Sequence, residues 1–256
     1  MAKLDPKHYD EHSSFQKSVA MEIMNLFPPA STDIILDMGC GDGFLSARLA
    51  EIVDKGSVVG IDPSEDMIHY ATKTYRPINY PNLTFKIGQA ESNHGEQLYS
   101  LITAFNCLHW SHNLAAVFKN CFNALKSDGK FLGVTYPKES PYWRIFMEVF
   151  SYPRWQKYLS ISPASSWLSS ARFKTLALEN RFEPLLFKTE ECLASYSCRQ
   201  ALCDYIKGWL PCLLPIGEKE QGEFLLDALD YAECQFKNKD VIELPYTKLT
   251  FCFVKK

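Results

Sequence analysis

The chain has 256 residues, 46% of them hydrophobic and 22% charged, with a formal net charge of -3. That balance belongs to a folded globular protein and is far from disordered composition. Acids and bases are mixed along the chain with no lysine- or arginine-rich block, which excludes an obvious phosphate-neutralising surface, so no nucleic-acid partner is expected.

Residues 1–16 lack the apolar core of a signal peptide, and no stretch has the uninterrupted apolar length of a membrane span, so a cytoplasmic protein without a membrane partner is expected. Ser14 to Leu26 carries Phe15, Val19, Ile23 and Leu26 at helical spacing and is stopped by Pro28 and Pro29. Ile34 to Asp37 reads as a buried strand, followed by the glycine-rich Met38-Gly39-Cys40-Gly41-Asp42-Gly43 and a helix from Phe44 to Val53. Val58 to Asp62 is a second strand. Ser64 to Tyr75 is a helix capped by Ser64. Leu83 to Ile87 and Leu101 to Phe105 read as strands, Leu114 to Leu125 as a helix, Ser127-Asp128-Gly129 as a turn and Lys130 to Thr135 as a strand.

After Tyr136 the alternation breaks. Residues 137–180 are rich in serine and aromatics, among them Tyr142, Trp143, Phe146, Phe150, Tyr152, Trp155, Tyr158 and Trp167, and read as helices without intervening strands. Phe182 to Phe187 restarts the sheet, Glu190 to Ile206 and Glu218 to Phe236 read as helices, and Lys248 to Val254 is a terminal strand. The pattern is α/β: a Rossmann-like, doubly wound, mainly parallel sheet of seven strands with helical insertions that cover a substrate. A single domain over residues 1–256 is expected, with a ligand-binding core at about 31–136, an N-terminal helix within 1–30, and helical cover at about 137–180 and 190–240. The nine cysteines include no CxxC pair. Cys192, Cys198, Cys203 and Cys212 fit no zinc spacing, and His8 and His12 share a helical face without a third ligand, so no metal is expected.

Strand, glycine loop and helix together bring a nucleotide-like ligand against bare backbone. The carboxyl ends of the strands, where Asp62 falls, are where open α/β sheets bind ligands. Dinucleotide binders carry G-x-G-x-x-G, whereas Phe44 occupies the third glycine position here. Asp37 and Asp42 would repel a pyrophosphate and attract an ammonium or a sulfonium. S-adenosylmethionine therefore fits better than a nicotinamide dinucleotide, the remaining alternative being glycines that serve only a tight turn.

ILDMGCGDGFLSARLA followed by VVGIDPSEDMIHYA resembles the first two motifs of the class I S-adenosylmethionine-dependent methyltransferases. FKIGQAE, FNCLHW and LKSDGKFLGVTY resemble the family's later segments, so the likeness covers roughly residues 31–136. The resemblance implies that Asp37, Gly39, Cys40, Gly41 and Asp42 form the methionine end of a cofactor site and that Asp62 holds the ribose. It sets Pro63 and Met67 beside the adenine, Gln89 and Ala90 at the adenine edge, and Asn106 near the methionine amino group and the acceptor. Gln89 stands where an acid is common, although its carbonyl can still accept from the adenine amino group. Met67 reads equally well as core, and Asn106 as a strand-end cap.

Leu108-His109-Trp110, with Tyr9 and Ser13-Ser14-Phe15-Gln16, resembles the subgroup of trans-aconitate and juvenile hormone acid methyltransferases. The resemblance implies that Gln16 and Trp110 orient a substrate carboxylate. Such an acceptor, with a pKa of about 4, is already ionised at neutral pH and needs neutral donors rather than a base. The expected activity is therefore O-methylation of a small, partly apolar carboxylic acid. Alternatives are methylation of nitrogen, carbon or a hydroxyl with His109 assisting, esterification of a malonyl carrier protein, for which no basic strip is evident, or cofactor binding without catalysis. Trp110 as a core aromatic and His109 as a histidine satisfied by packing stand beside these roles.

Overall fold

The computed structural model describes residues 4–238 and 241–256, so positions 1–3 of the expected N-terminal segment and 239–240 of the expected cover lie outside the described residues. Helices α1 (Pro6–His12) and α2 (Ser14–Leu26) lead into β1 (Ile34–Met38). The alternation expected from the apolar runs then follows: α3 (Phe44–Ile52), β2 (Ser57–Asp62), α4 (Glu65–Thr74), β3 (Leu83–Ile87), β4 (Tyr99–Phe105), α5 (Leu114–Ala124) and β5 (Leu125–Thr135). Beyond them lie α6 (Tyr142–Ser151), α7 (Ser170–Glu179) and β6 (Phe182–Tyr196). The chain continues through α8 (Arg199–Lys207), α9 (Leu210–Leu213), α10 (Glu218–Phe236), the two-residue β7 (Lys237–Asn238) and β8 (Val241–Lys255).

The strands lie in the order β3-β2-β1-β4-β5-β8-β6, with β7 paired to β8 off this path. Pairing is parallel from β3 through β5 and antiparallel on both sides of β8. This is the expected α/β, doubly wound, mainly parallel sheet. Strand order reverses between β1 and β4, and a crevice opens at their carboxyl ends.

Two elements differ from expectation. Glu190 to Tyr196, expected as helix, continues β6, and only Arg199–Lys207 is helical. Cys192, Ala194 and Tyr196 pair with Tyr246, Leu244 and Ile242 of β8, and this distant partner outweighs the helix preference of a Glu-, Leu- and Ala-containing run. Strand β8 accordingly begins at Val241 instead of Lys248. Within β5, Asp128 has a φ of 60° at the position expected as a turn, and pairing with β4 changes register there.

The longer strands have an architectural effect. Thr135, the last residue of β5, pairs with Leu249, whereas β6 and β8 remain paired as far as Tyr196 and Ile242. A two-stranded ribbon thus runs on past the sheet by about 20 Å and carries α8, α9 and α10 over the carboxyl edge. Trp143, Phe146, Leu202, Trp209, Phe224 and Leu244 form an apolar core for this cap. Two further cores cover the sheet faces. Phe118, Phe131, Phe173, Phe251 and Phe253 lie on one, and Val19, Ile23, Leu49, Val134 and Cys252 on the other. Phe251 and Phe253 lie on the face opposite Cys252, as the two-residue period of a strand requires. Among the described residues no helix is long and apolar enough to cross a membrane.

Phe118 is fully buried with its ring 5.0 Å from that of Phe173 and 5.7 Å from that of Phe131. Phe118→Ala is expected to cost about 3–5 kcal/mol of stability through lost burial and an unfilled cavity. Urea unfolding checks this: the midpoint should fall while the slope stays unchanged.

Candidate active site

The loop after β1 turns through three glycines in left-handed conformation, Gly39, Gly41 and Gly43, with φ of 67°, 52° and 84°. A Cβ on Gly39 would lie 2.3 Å from Cys107 Cβ, so the residue must be glycine for the loop to close against the end of β4. Gly41 differs: the nearest atom to a Cβ there is on the Tyr9 ring at 3.8 Å, and the residue faces a cavity. Asp62, at the end of β2, fastens the loop. Its Oδ2 accepts from Gly41 N–H at 3.1 Å and its Oδ1 from Ser64 N–H at 2.9 Å. Burial lifts the Asp62 carboxyl to about 6 in spite of these two donors.

Asp37 and Asp42 face away from the cavity. Asp37 lies beneath the loop, 2% exposed, accepting from Ser46 Oγ at 2.6 Å and Thr103 Oγ1 at 2.7 Å. Burial raises its carboxyl to about 6, with the charges of Asp62 and Asp42 adding to the effect. Asp42 accepts from Phe44 N–H at 3.1 Å and pairs with Lys17 Nζ at 2.7 Å. Lys17 also meets Asp10, which accepts from Tyr70 Oη at 2.9 Å, so an ion chain ties α1 and α2 to the glycine loop. Lys17 was not foreseen; its one signal was a lysine beside Gln16 with no acid one turn away on the same helix. Cys40 is buried, and its N–H donates to Ile61 O at 2.9 Å.

The cavity, of about 400 Å³, runs along the carboxyl edge beneath the cap. Of the residues singled out in the sequence, Gln16, Gly39, Gly41, Asp62, Pro63, Met67, Gln89, Ala90, Asn106, His109 and Trp110 are on its wall, and Asp37, Cys40 and Asp42 are not. The sequence did not point to Tyr136, which follows β5, or to Tyr205, Trp209 and Tyr246, which the helical cap and the ribbon bring to the same wall; Tyr9, part of the N-terminal likeness, joins them from α1. Glu91 was missed as well; its Oε1 accepts from Ser111 Oγ at 2.6 Å and from His112 N–H at 3.2 Å. Among the described residues the wall includes no lysine or arginine.

Asn106 is in left-handed conformation at φ 56° immediately after β4. Its Oδ1 accepts from Tyr136 Oη at 2.7 Å, and its Nδ2 donates to the Gln16 carbonyl at 3.4 Å, which links the wall of β5 to helix α2. Gln16 is 8% exposed, and its Oε1 is buried without a hydrogen-bond partner. The indoles of Trp143, Trp155 and Trp167 donate to protein acceptors, whereas that of Trp110 donates to none among the described residues. His109 packs its ring 4.4 Å from that of Trp110 and 5.2 Å from that of Tyr136. Burial pushes its pKa down to about 3, so the imidazole is neutral at physiological pH. His109 Nδ1 is 3.3 Å from Thr135 Oγ1. Met67 is 2% exposed, and so serves the core as well as the wall.

Comparison with known proteins matches residues 35–129 to a family profile described as a methyltransferase domain. A viral protein named as a methyltransferase, 235L of Invertebrate iridescent virus 6, is 25% identical over 223 residues, covering 87% of this chain and 82% of the relative. Juvenile hormone acid O-methyltransferase of Drosophila melanogaster is 25% identical over 77% of this chain and 70% of its own length. Malonyl-[acyl-carrier protein] O-methyltransferase of Bacillus cereus is 28% identical over 52% of this chain, and the chain spans about half of that relative, 49%. The solved structure of a Bacillus halodurans protein described as a methyltransferase has the same fold, with a TM-score of 0.67 at 15% identity over 92% of this chain and 97% of that one.

Asp37 yields a test in pH. Its folded pKa of about 6 exceeds the ordinary 3.8, so between these values the folded chain retains a proton that the unfolded chain has released. Its contribution to stability is full below about pH 4 and is lost as pH rises to about 6. Asp37→Asn has no such loss. Its stability relative to the native chain should improve across that window by on the order of 3 kcal/mol and then level off. Urea unfolding of both chains at several pH values measures the difference.

Proposed function

We propose that the chain, a methyltransferase by its match to that domain profile and its relatives, uses S-adenosylmethionine to esterify the carboxylate of a small, partly apolar acid in the cavity beneath its cap. The wall has the features this cofactor needs. Gly41 presents bare backbone to the cavity, and the Asp62 carboxylate can accept from ribose hydroxyls. Pro63, Met67, Gln89 and Ala90 provide an apolar and hydrogen-bonding surface suited to adenine. Asp37, Cys40 and Asp42 act from behind, fixing the loop; the Asp42 charge is answered by Lys17. When bound, the cofactor supplies an electrophilic methyl group.

One observation carries the acceptor reading. Beyond the glycine loop the wall offers neutral donors, Gln16 Nε2 and the Trp110 indole N–H, and among the described residues no lysine or arginine. A carboxylate is ionised at neutral pH, so it needs orientation and removal of water rather than deprotonation. An amine or an alcohol must lose a proton, and His109, with a pKa near 3, is poorly matched to that task. Two relatives named as O-methyltransferases, one of juvenile hormone acid and one of malonyl-carrier protein, support the reading. A free small acid is the simpler acceptor, because the chain has no lysine- or arginine-rich block to meet an acidic carrier protein.

Transfer of labelled methyl into a panel of small carboxylic acids should give product whose label mild base releases. Base-stable label would overturn the carboxylate reading. Trp110→Phe should lower kcat/KM for the acid about 10- to 100-fold, the loss of a charge-assisted hydrogen bond, and leave cofactor affinity unchanged. Undiminished turnover would return Trp110 to a packing role. Asp62→Ala should weaken cofactor binding at least tenfold by calorimetry, and unchanged affinity would remove Asp62 from the ribose site.

A further inference from the structure

Two side-chain polar atoms of cavity-wall residues are buried without any hydrogen-bond partner among the described residues: Gln16 Oε1 on α2 and the Tyr142 hydroxyl on α6. The carboxylate site proposed above uses the Nε2 donor of the Gln16 amide, and Oε1 of that amide can only accept. Nothing so far uses Tyr142.

Tyr142 occupies the first turn of α6, where its ring packs 5.3 Å from Trp143, 5.4 Å from Phe146 and 6.0 Å from Trp209. Trp209 in turn lies 5.6 Å from Trp110. The wall from Trp110 to Tyr142 is therefore a continuous surface of rings, with the proposed carboxylate site at one end and an unpaired hydroxyl at the other. Two neighbouring polar groups are already paired. Tyr136 Oη donates to Asn106, and the Trp143 indole donates to the Tyr136 carbonyl at 3.3 Å. Burial holds the Tyr142 phenol well above its usual range, so it is a neutral donor.

A buried hydroxyl without a partner is unfavourable, and native proteins seldom keep one without use. A plain hydrocarbon body would cover the ring wall and leave this O–H unpaired. We propose that Tyr142 is a specificity-determining residue, and that the acceptor carries a second oxygen, as hydroxyl, ether or ketone, on the part of its body remote from the methylated carboxylate. The orientation rests on the carboxylate reading; the pairing with Tyr142 does not.

The test uses matched aryl-alkanoic acids with two to five chain carbons, each with and without a para-hydroxyl. They are titrated against the full chain and its Tyr142→Phe variant in the presence of S-adenosylhomocysteine. Quenching of the cavity tryptophans reports binding whether or not methyl transfer occurs. Removing one oxygen keeps the ring packing, so the variant is expected to fold as the native chain does, and thermal unfolding verifies it. For at least one chain length the native protein should bind the hydroxylated acid about tenfold more tightly than its partner. The variant should bring the pair within about twofold by losing affinity for the hydroxylated member alone. Equal affinities throughout the series, no binding at millimolar concentration, or a preference that survives in the variant would each overturn the assignment. Labelled methyl transfer into the same acids separates the two readings. A Tyr142-dependent preference without base-labile product sinks the carboxylate reading alone, and base-labile product without the preference sinks this one alone.

Discussion

The Asp62 carboxylate, shared between the backbone N–H groups of Gly41 and Ser64, is the contact on which the site depends. A loop that turns through three left-handed glycines has little intrinsic preference for one path, because glycine loses more backbone freedom on ordering than any other residue. Asp62 supplies the missing constraint by joining the loop after β1 to the helix start after β2. Asp37 does the same from below, holding Ser46 of α3 and Thr103 of β4. Both carboxylates are buried, so each is held at a cost in solvation that its hydrogen bonds offset only in part. The loop is rigid because charges have been moved out of water to fasten it.

A second constraint shapes the capped end of the cavity. Strands β6 and β8 continue beyond β5, and the ribbon so formed supports a cap with its own apolar core. The cavity therefore has two kinds of wall. The wall nearest the loop is backbone, carboxylate and short side chains, and the wall under the cap is indole and phenol rings. The N-terminal helices join them, since Lys17 meets Asp42 of the loop while His8 Nε2 lies 2.8 Å from the Asp204 carbonyl of α8.

The first half of the fold was legible because its signals are local. Ile34 to Asp37 is apolar at consecutive positions, and the glycines that follow have one plausible use. Which way Asp37 and Asp42 face was not legible, because that depends on Ser46, Thr103 and Lys17, residues that proximity in sequence does not single out. The segment 190–196 was misread as helix because its partner, from Ile242 to Lys248, lies some fifty residues away and the two-residue period is short. That misreading also concealed part of the cavity wall. Tyr196 and Tyr246 face the cavity through the ribbon, and Tyr205 and Trp209 through the helices it carries. Tyr142 was visible as one aromatic among eight, but nothing in the spacing separated it from Tyr152 or Tyr158.

The position of β8 also sets an order of events in folding. It is the last strand in the chain, yet it lies between β5 and β6 instead of at an edge. The loop, its carboxylate fasteners and the Cys107 side chain it closes against involve no later residue and can form as soon as the first half of the chain has emerged. The sheet cannot close around β6, nor can Leu244 complete the cap core, until β8 arrives. Such long-range closure is slow relative to local structure. A nascent chain can therefore close its glycine loop well before the cavity under the cap is complete, and in the interval β6, 15 residues long, has no partner in the sheet. Its exposed positions carry Pro184, Lys188 and Glu191, residue types that discourage an unpaired strand from joining another chain.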